Sequence, residues 1–245
     1  MENVELRSFP NDLRLSRAVA GAWLEEIAAA NRAGKPYFVA LAGGRITLKF
    51  FAAVVELSQA GSVSFAGVHF FWGDERCVPP DDPESNFAAA NQHLLQPLGI
   101  APDNIHRLRG ELPPDAAAAA GTAEIQRIVP LDEDGQPLLD LVFLGLGEDG
   151  HVASLFPGEP ETVMSNPAVF RAVRNSPKPP PERVTLGYRG IASARQVWVL
   201  ASGAGKMPAL SGSLKPGGQT PLARVLRSRR QTRIFNDIPS LPSST

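Results

Sequence analysis

The stretch Tyr37 to Gln59 reads YFVALAGGRITLKFFAAVVELSQ, and its two halves differ in kind. YFVAL is a short unbroken apolar run ending at a Gly43-Gly44 pair, the pattern of a strand covered on both faces. ITLKFFAAVVELSQ then sets Phe50, Phe51, Val54, Val55 and Leu57 too close together for alternation, so it predicts a helix. Strand, glycine turn and helix make the repeating unit of an α/β protein. The unit is expected again in VHFFWGDER, with a strand over 68–72 and a helix over 86–95, and once more in LLDLVFLGLGEDGHVASLF over 138–156.

Working outward, Asn11 or Asp12 can cap a helix ending near Gly34, with Leu15, Ala18, Ala22, Leu24 and Ile27 on its buried side. PDAAAAAGTAEIQRIV, 114–129, is alanine-rich enough for a connector helix, although Gly121 weakens it by about 1 kcal/mol. Four prolines among residues 177–181 interrupt the pattern before a short strand over 184–186, a turn of helix and a strand over 196–201. A helix over 221–226 and a strand over 232–235 precede a Pro/Ser tail. No fixed-period repeat or interdomain linker breaks the chain, so residues 1–245 are expected to form one α/β domain around a largely parallel sheet.

Composition narrows the function. With 24 Lys plus Arg against 25 Asp plus Glu and a net charge of -1, no single-sign run offers a nucleic-acid stripe or a polybasic membrane anchor. The N-terminus is acidic and polar where a secretory signal would be basic and then apolar, and no stretch approaches the ~20 apolar residues of a membrane span. The lone Cys77 cannot close an internal disulfide, and His69, His93, His106 and His151 are too scattered for a zinc knuckle. A cytoplasmic protein acting on a small molecule is expected, without nucleic acid, membrane or metal, and the chain is compatible with a monomer.

Three loops leave carboxyl ends of strands carrying glycine and charge: AGGRIT at 42–47, GDERCVPP at 73–80 and GLGEDGH at 145–151. Ligands of parallel sheets gather at that edge, so the loops should converge on one crevice. Gly43 and Gly44 can bring backbone N–H groups to an anion at a helix N-terminus, with Arg45 adding a fixed charge; a tight turn without ligand is the alternative. Neither G-x-G-x-x-G nor a complete Walker A loop is present, since SGAGKMP at 202–208 lacks the first glycine and the Ser or Thr. Lys206 can still place a point charge in the crevice. In GDER, neighbouring side chains point opposite ways, so Asp74 and Arg76 are expected to face the crevice while Glu75 pairs elsewhere. Cys77 is expected to be inert. His151, on a glycine-rich strand-end loop, is the strongest candidate general base, whereas His69, His93 and His106 fit structural roles.

FFWGDERCVPPDDPESNFAAANQHLL, DLVFLGLGEDGHVASLFPG and PKPPPERVTLGYRGIASARQVWVLASGAGK together resemble, in order, the 6-phosphogluconolactonase family, over most of the chain from Tyr37 onward. The resemblance implies a Rossmann-like fold related to sugar-phosphate isomerases, helices on both faces of the sheet, and hydrolysis of 6-phospho-D-glucono-1,5-lactone to 6-phosphogluconate without metal or organic cofactor. It implies that His151 is the catalytic histidine, that Asp74 is the loop acid of the site, and that Gly43, Gly44, Arg45, Arg76 and Lys206, with Arg183 in addition, bind the anion. One segment departs. The first loop of that family usually reads S-G-G-[SR]-T-P, and here Ala42 and Ile46-Thr47 remove the serine hydroxyl, the threonine at its usual place and the proline. A lost hydrogen bond to a charged group costs about 1.5–3 kcal/mol.

The expected chemistry is attack of water on the lactone carbonyl with His151 taking its proton, backbone N–H groups or a cation holding the oxyanion, and imidazolium returning the proton to the ring oxygen. Two other readings exist. A glucosamine-6-phosphate deaminase or isomerase shares the glycine loop and a G-x-G-x-D-G-H strand end, but VASLFPG and GDER are in the lactonase style. A catalytically dead sugar-phosphate sensor would keep the cradle without needing His151 and Asp74.

Overall fold

Both parities of the central strands are buried, which is what an unbroken apolar run demands: Val39, Phe143, Trp198 and Val199 are all removed from water. The computed structural model describes residues 3–61 and 63–239. The chain opens with β1 (Val4–Ser8) and α1 (Asp12–Arg32). Asn11 is the cap, its side chain accepting from the Arg14 N–H at 2.9 Å. β2 (Tyr37–Leu41), α2 (Arg45–Ala60) and β3 (Val68–Trp72) follow as expected. After Gly73 come β4 (Asp74–Arg76) and α3 (Asn86–Ala90), which loosens into a π turn over Asn91–Leu95. α4 (Pro114–Ile128) leads to β5 (Leu141–Gly145) and the short α5 (Glu161–Met164). β6 (Phe170–Val173), β7 (Arg183–Leu186), α6 (Tyr188–Ser193), β8 (Gln196–Ala201), α7 (Met207–Leu214), α8 (Pro221–Arg227) and β9 (Thr232–Asn236) complete the described chain.

Six strands form one parallel sheet in the order β1-β9-β8-β5-β2-β3. Trp23 of α1 packs on Phe50 of α2, Phe70 of β3 and Phe143 of β5, with ring centroids 5.4–6.3 Å apart, clamping both helices to one face. Each such aromatic contributes about 1.5–3 kcal/mol by burial alone. On α1 the buried stripe is Leu15, Val19, Ala20, Trp23, Leu24 and Ile27, whereas Ala18 and Ala22, expected inside, are only half-buried. Trp23 fixes the helix rotation because it is the largest group available to the core.

The structure departs from these expectations at two points. No helix follows β5 within 138–156. Residues 146–151 turn through Gly147 and Gly150, and a Val152–Leu155 bridge closes the loop, so the glycines and local pairing leave no room for a helical turn. The second is an unforeseen antiparallel sheet, β4-β7-β6. Strands of three and four residues are too short to display alternation. Gly121, expected to weaken α4, is where that helix meets this sheet: a Cβ there would lie 3.3 Å from Cδ2 of Phe170 on β6 and 2.4 Å from Leu108 Cδ2.

This arrangement positions the site. β8, β5, β2 and β3 are consecutive in the sheet, so the loops at their carboxyl ends, 202–206, 146–151, 42–45 and 73–76, lie side by side. β4 then carries the last of these into register with β7, setting Arg76 opposite Arg183 and Asp74 opposite Thr185.

Candidate active site

A crevice of about 520 Å³ opens where these loops meet. Gly43, Gly44, Arg45, Asp74, Arg76, His151, Arg183 and Lys206 all line it. Every candidate raised from the sequence is therefore brought to one place.

One wall is the glycine turn at the head of α2. Gly44 takes φ +105°, a left-handed conformation that a side chain disfavours, and as N-cap residue it supplies no side chain to the helix end. No acid occupies the first helical turn, so that positive end is left for an anion. Gly43 is required by close approach, since a Cβ there would lie 2.0 Å from Asn86 Oδ1. Thr47 donates to the Gly43 carbonyl at 2.9 Å and steadies the turn. Arg45 is exposed at the rim. Lys206, behind the turn after β8, has Glu148 Oε1 4.0 Å from its Nζ. Burial is the main cause that lowers its pKa; Glu148 opposes this, and the nearby Lys178 and Arg45 add to it.

The other wall is held by hydrogen bonds. Glu75 points away from the crevice, as expected: it is buried and accepts from the N–H groups of Arg76, Asn86 and Phe87 at 2.7–2.8 Å and from Ser85 Oγ at 3.0 Å. Burial raises its pKa and these four donors oppose the shift. The acid thereby ties β4 to the start of α3. Asp74 is also buried, with Ser154 Oγ donating to Oδ2 at 2.7 Å and Asn86 Nδ2 to Oδ1 at 3.3 Å. Ser154 Oγ in turn accepts from Arg183 Nη1 at 3.4 Å. One hydroxyl thus stands between the Asp74 carboxylate and the Arg183 guanidinium. The other bonds of Arg183 go to the carbonyls of Lys178, Pro179 and Pro180 at 2.9–3.0 Å. Burial, and then the neighbouring Arg76, lower its pKa. Arg76 donates to the Glu84 carbonyl at 2.6 Å and leaves its buried Nε without a partner among the described residues. Two facing guanidiniums fastened chiefly to neutral oxygens are a receptor for a multiply charged anion.

His151 lies between the walls. Its Nδ1 is 2.5 Å from Asp149 Oδ1. A carboxylate only accepts, so Nδ1 carries the proton and Nε2 keeps its lone pair. The ring packs on Phe156 with centroids 5.0 Å apart. Burial is the largest influence and lowers the imidazole pKa; the hydrogen bond and charge of Asp149 oppose it, Lys178 reinforces it, and Asp74 opposes it weakly. The net shift is downward from the ordinary imidazole value. Gly147 makes this pair possible, because a Cβ there would lie 1.9 Å from His151 Nδ1 and 2.5 Å from Asp149 Oδ1.

Asp149, Ser154, Asn86 and Lys49 were not singled out in the sequence. Asp149 was discoverable as the acid two residues before a candidate base; the role of Ser154 depends on an 80-residue separation from Asp74. Lys49, one helical turn after Arg45, lines the crevice while ion-paired with Asp12. Cys77 lies off the crevice, and burial pushes its thiol up to about 11. His69 and His106 lie 3.0 Å apart, and His106 reaches Glu124 at 2.9 Å, away from the site; His93 is exposed. Among the described residues no cluster of three His, Cys, Asp or Glu side chains is placed to hold a metal ion, and no helix is long and apolar enough to cross a membrane.

Residues 10–234 match the family described as glucosamine-6-phosphate isomerases/6-phosphogluconolactonase. The 6-phosphogluconolactonase of Mycobacterium tuberculosis is 35% identical over 222 residues, covering 88% of this chain and 87% of that one. The solved structure of 6-phosphogluconolactonase from Trypanosoma brucei superposes with a TM-score of 0.81 at 30% identity, over 96% of this chain and 95% of that chain. A monomeric glucosamine-6-phosphate deaminase superposes with a TM-score of 0.79 at 19% identity, over 95% of this chain and 97% of that one, a likeness of fold alone.

Proposed function

The chain belongs to the family of glucosamine-6-phosphate isomerases and 6-phosphogluconolactonases, and from that premise we propose that it hydrolyses 6-phospho-D-glucono-1,5-lactone to 6-phospho-D-gluconate with His151 as general base. The observation that carries the reading is the imidazole fixed through Nδ1 by Asp149, its free Nε2 in a crevice lined with cations.

Nε2 takes a proton from water as the water oxygen bonds to the lactone carbonyl carbon and the carbonyl electron pair moves onto oxygen. The imidazolium so formed is stabilised by Asp149 and by the negative charge of Asp74. When the oxyanion collapses, the bond from C1 to the ring oxygen breaks and Nε2–H delivers its proton to that oxygen, which leaves as a hydroxyl. The base is regenerated, and one water has been added.

The phosphate supplies binding energy remote from the reacting carbon. Gly43, Gly44, Arg45 and Lys206 on one wall and Arg76 and Arg183 on the other are its receptors. The matched 6-phosphogluconolactonases and the style of GDER and VASLFPG favour the lactonase over the deaminase. The balanced charge, with no run of one sign, fits a small-molecule substrate rather than a nucleic acid.

The test generates the lactone with glucose-6-phosphate dehydrogenase in slightly acidic buffer, where spontaneous hydrolysis is slow, and follows 6-phosphogluconate. The protein should accelerate its formation, and a folded His151→Ala variant should lose about 10²- to 10⁴-fold in kcat. Full turnover by that variant would remove His151 as the base; absence of acceleration with intact sugar-phosphate binding would favour a sensor.

A further inference from the structure

Asp149 has a second cationic neighbour. Lys178 Nζ lies 3.8 Å from Asp149 Oδ1, the same oxygen that takes the His151 Nδ1–H at 2.5 Å. We propose that Lys178 is a positioning residue for the general base: by dividing the Asp149 carboxylate between two cations, it keeps His151 unprotonated while the imidazole stays oriented. The inference rests on the reading of His151 as the base.

Three observations support it. Lys178 is absent from the crevice lining, so its influence runs through Asp149 rather than through substrate. Its backbone is fixed: the Lys178 carbonyl accepts from Arg183 Nη2 at 3.0 Å and from Ser176 Oγ at 2.8 Å, and its N–H donates to Ser176 Oγ at 3.2 Å. Pro179, Pro180 and Pro181 stiffen the chain between it and β7. The backbone that carries the ammonium is therefore held near Asp149, although the side chain is 44% exposed.

The charges around the imidazole come from every element packed on it. Asp149 belongs to the loop of His151, Asp74 to β4, and Lys178 to the segment before β7; Arg183 of β7 stacks on the Phe156 ring that His151 also touches. Lys206 approaches from the turn after β8 and is repelled by Lys178. Without Lys178, an uncompensated Asp149 would stabilise imidazolium more strongly. The base would then be protonated over more of the acid range. The loss of one neighbouring charge, partly screened by water, shifts such a group by about half to one pH unit.

The experiment measures the acid limb of kcat/KM against pH, and in parallel the NMR titration of the His151 imidazole in the free protein, for wild type, Lys178→Met, Lys178→Arg and Asp149→Asn. Lys178→Met should move both midpoints upward by about half to one unit, which below the midpoint is a three- to tenfold loss of kcat/KM. Lys178→Arg should restore the wild-type midpoint, and Asp149→Asn should move it down. In the Asp149→Asn background, Lys178→Met should have less than half its effect, because the lysine then has no carboxylate to hold it near the ring. Midpoints unmoved by Lys178→Met, a rise in KM without a shift, or a full shift persisting in the Asp149→Asn background would each overturn the proposal. Loss of activity confined to His151→Ala with unmoved midpoints would leave the base assignment standing and sink only the lysine's part.

Discussion

The two walls of the crevice are built on opposite principles. On the α2 side the donors are left open: an uncapped helix end at Gly44, an exposed Arg45 and a Lys206 whose nearest acid oxygen is 4.0 Å away. On the β4–β7 side, and at the His151 loop beside it, most polar groups are engaged before any ligand arrives, with Asp74 held by Ser154 and Asn86, Glu75 by four donors, Arg183 by three carbonyls and His151 by Asp149, while Arg76 keeps a spare Nε–H. The first wall stores binding capacity alone, and the second adds fixed geometry to the charge of its two guanidiniums. Phosphate recognition tolerates small displacements because Coulomb attraction falls slowly with distance, whereas proton transfer does not.

The contrast breaks most severely at Gly147. Gly147→Ala puts a methyl into the Asp149–His151 pair, which must separate. Displacing a base by about 1 Å costs on the order of a hundredfold, so kcat should fall about that far while KM moves less than threefold. Stopped assays on the folded variant measure both. A kcat within fivefold of wild type would show that this wall is more yielding than its hydrogen bonds suggest.

The open wall should respond in the other constant. Lys206→Ala removes one charge from the anion receptor and leaves the Asp149–His151 hydrogen bond in place, so KM should rise about tenfold, consistent with roughly 1.5–3 kcal/mol for a charged contact shared among several donors. Rising ionic strength should raise KM for wild type more than for the variant, because part of what salt screens has already been removed. If kcat fell as much as KM rose, the two walls would not divide the work.

Legibility in the sequence follows the same division. The open wall could be read because its parts are local: a glycine pair after an apolar strand, an arginine at a helix start, a lysine after a glycine turn. Most of the parallel sheet was legible for a related reason, since its inner strands carry their own apolar runs and turns; β1, VELRS, has no such run and was not expected. The geometric wall was only half legible. His151 and Asp74 stood out by residue type, but the small sheet pairing Arg76 with Arg183 consists of strands too short for periodicity, and the Ser154 hydroxyl between Asp74 and Arg183 joins residues far apart in sequence. The missing helix after β5 belongs here too, because those residues serve the Asp149–His151 turn rather than a crossover.

Ala42 sharpens the contrast with the smallest expected effect. It lines the crevice at the end of β2, where members of this family commonly place a serine. If the α2 wall binds by summed charge from the helix end, Arg45 and Lys206, one added hydroxyl is a minor contributor. Ala42→Ser should then lower KM by no more than about threefold, well under the roughly 1.5–3 kcal/mol that a hydrogen bond to a charged group is worth when no other donor shares the charge, with kcat unchanged within error. The Gly43–Asn86 contact limits the loop's freedom to exploit the new group, since the turn cannot move toward α3. A KM lowered by tenfold or more would mean that the cradle as it stands lacks a donor it was shaped to hold, and the open wall would be geometric after all.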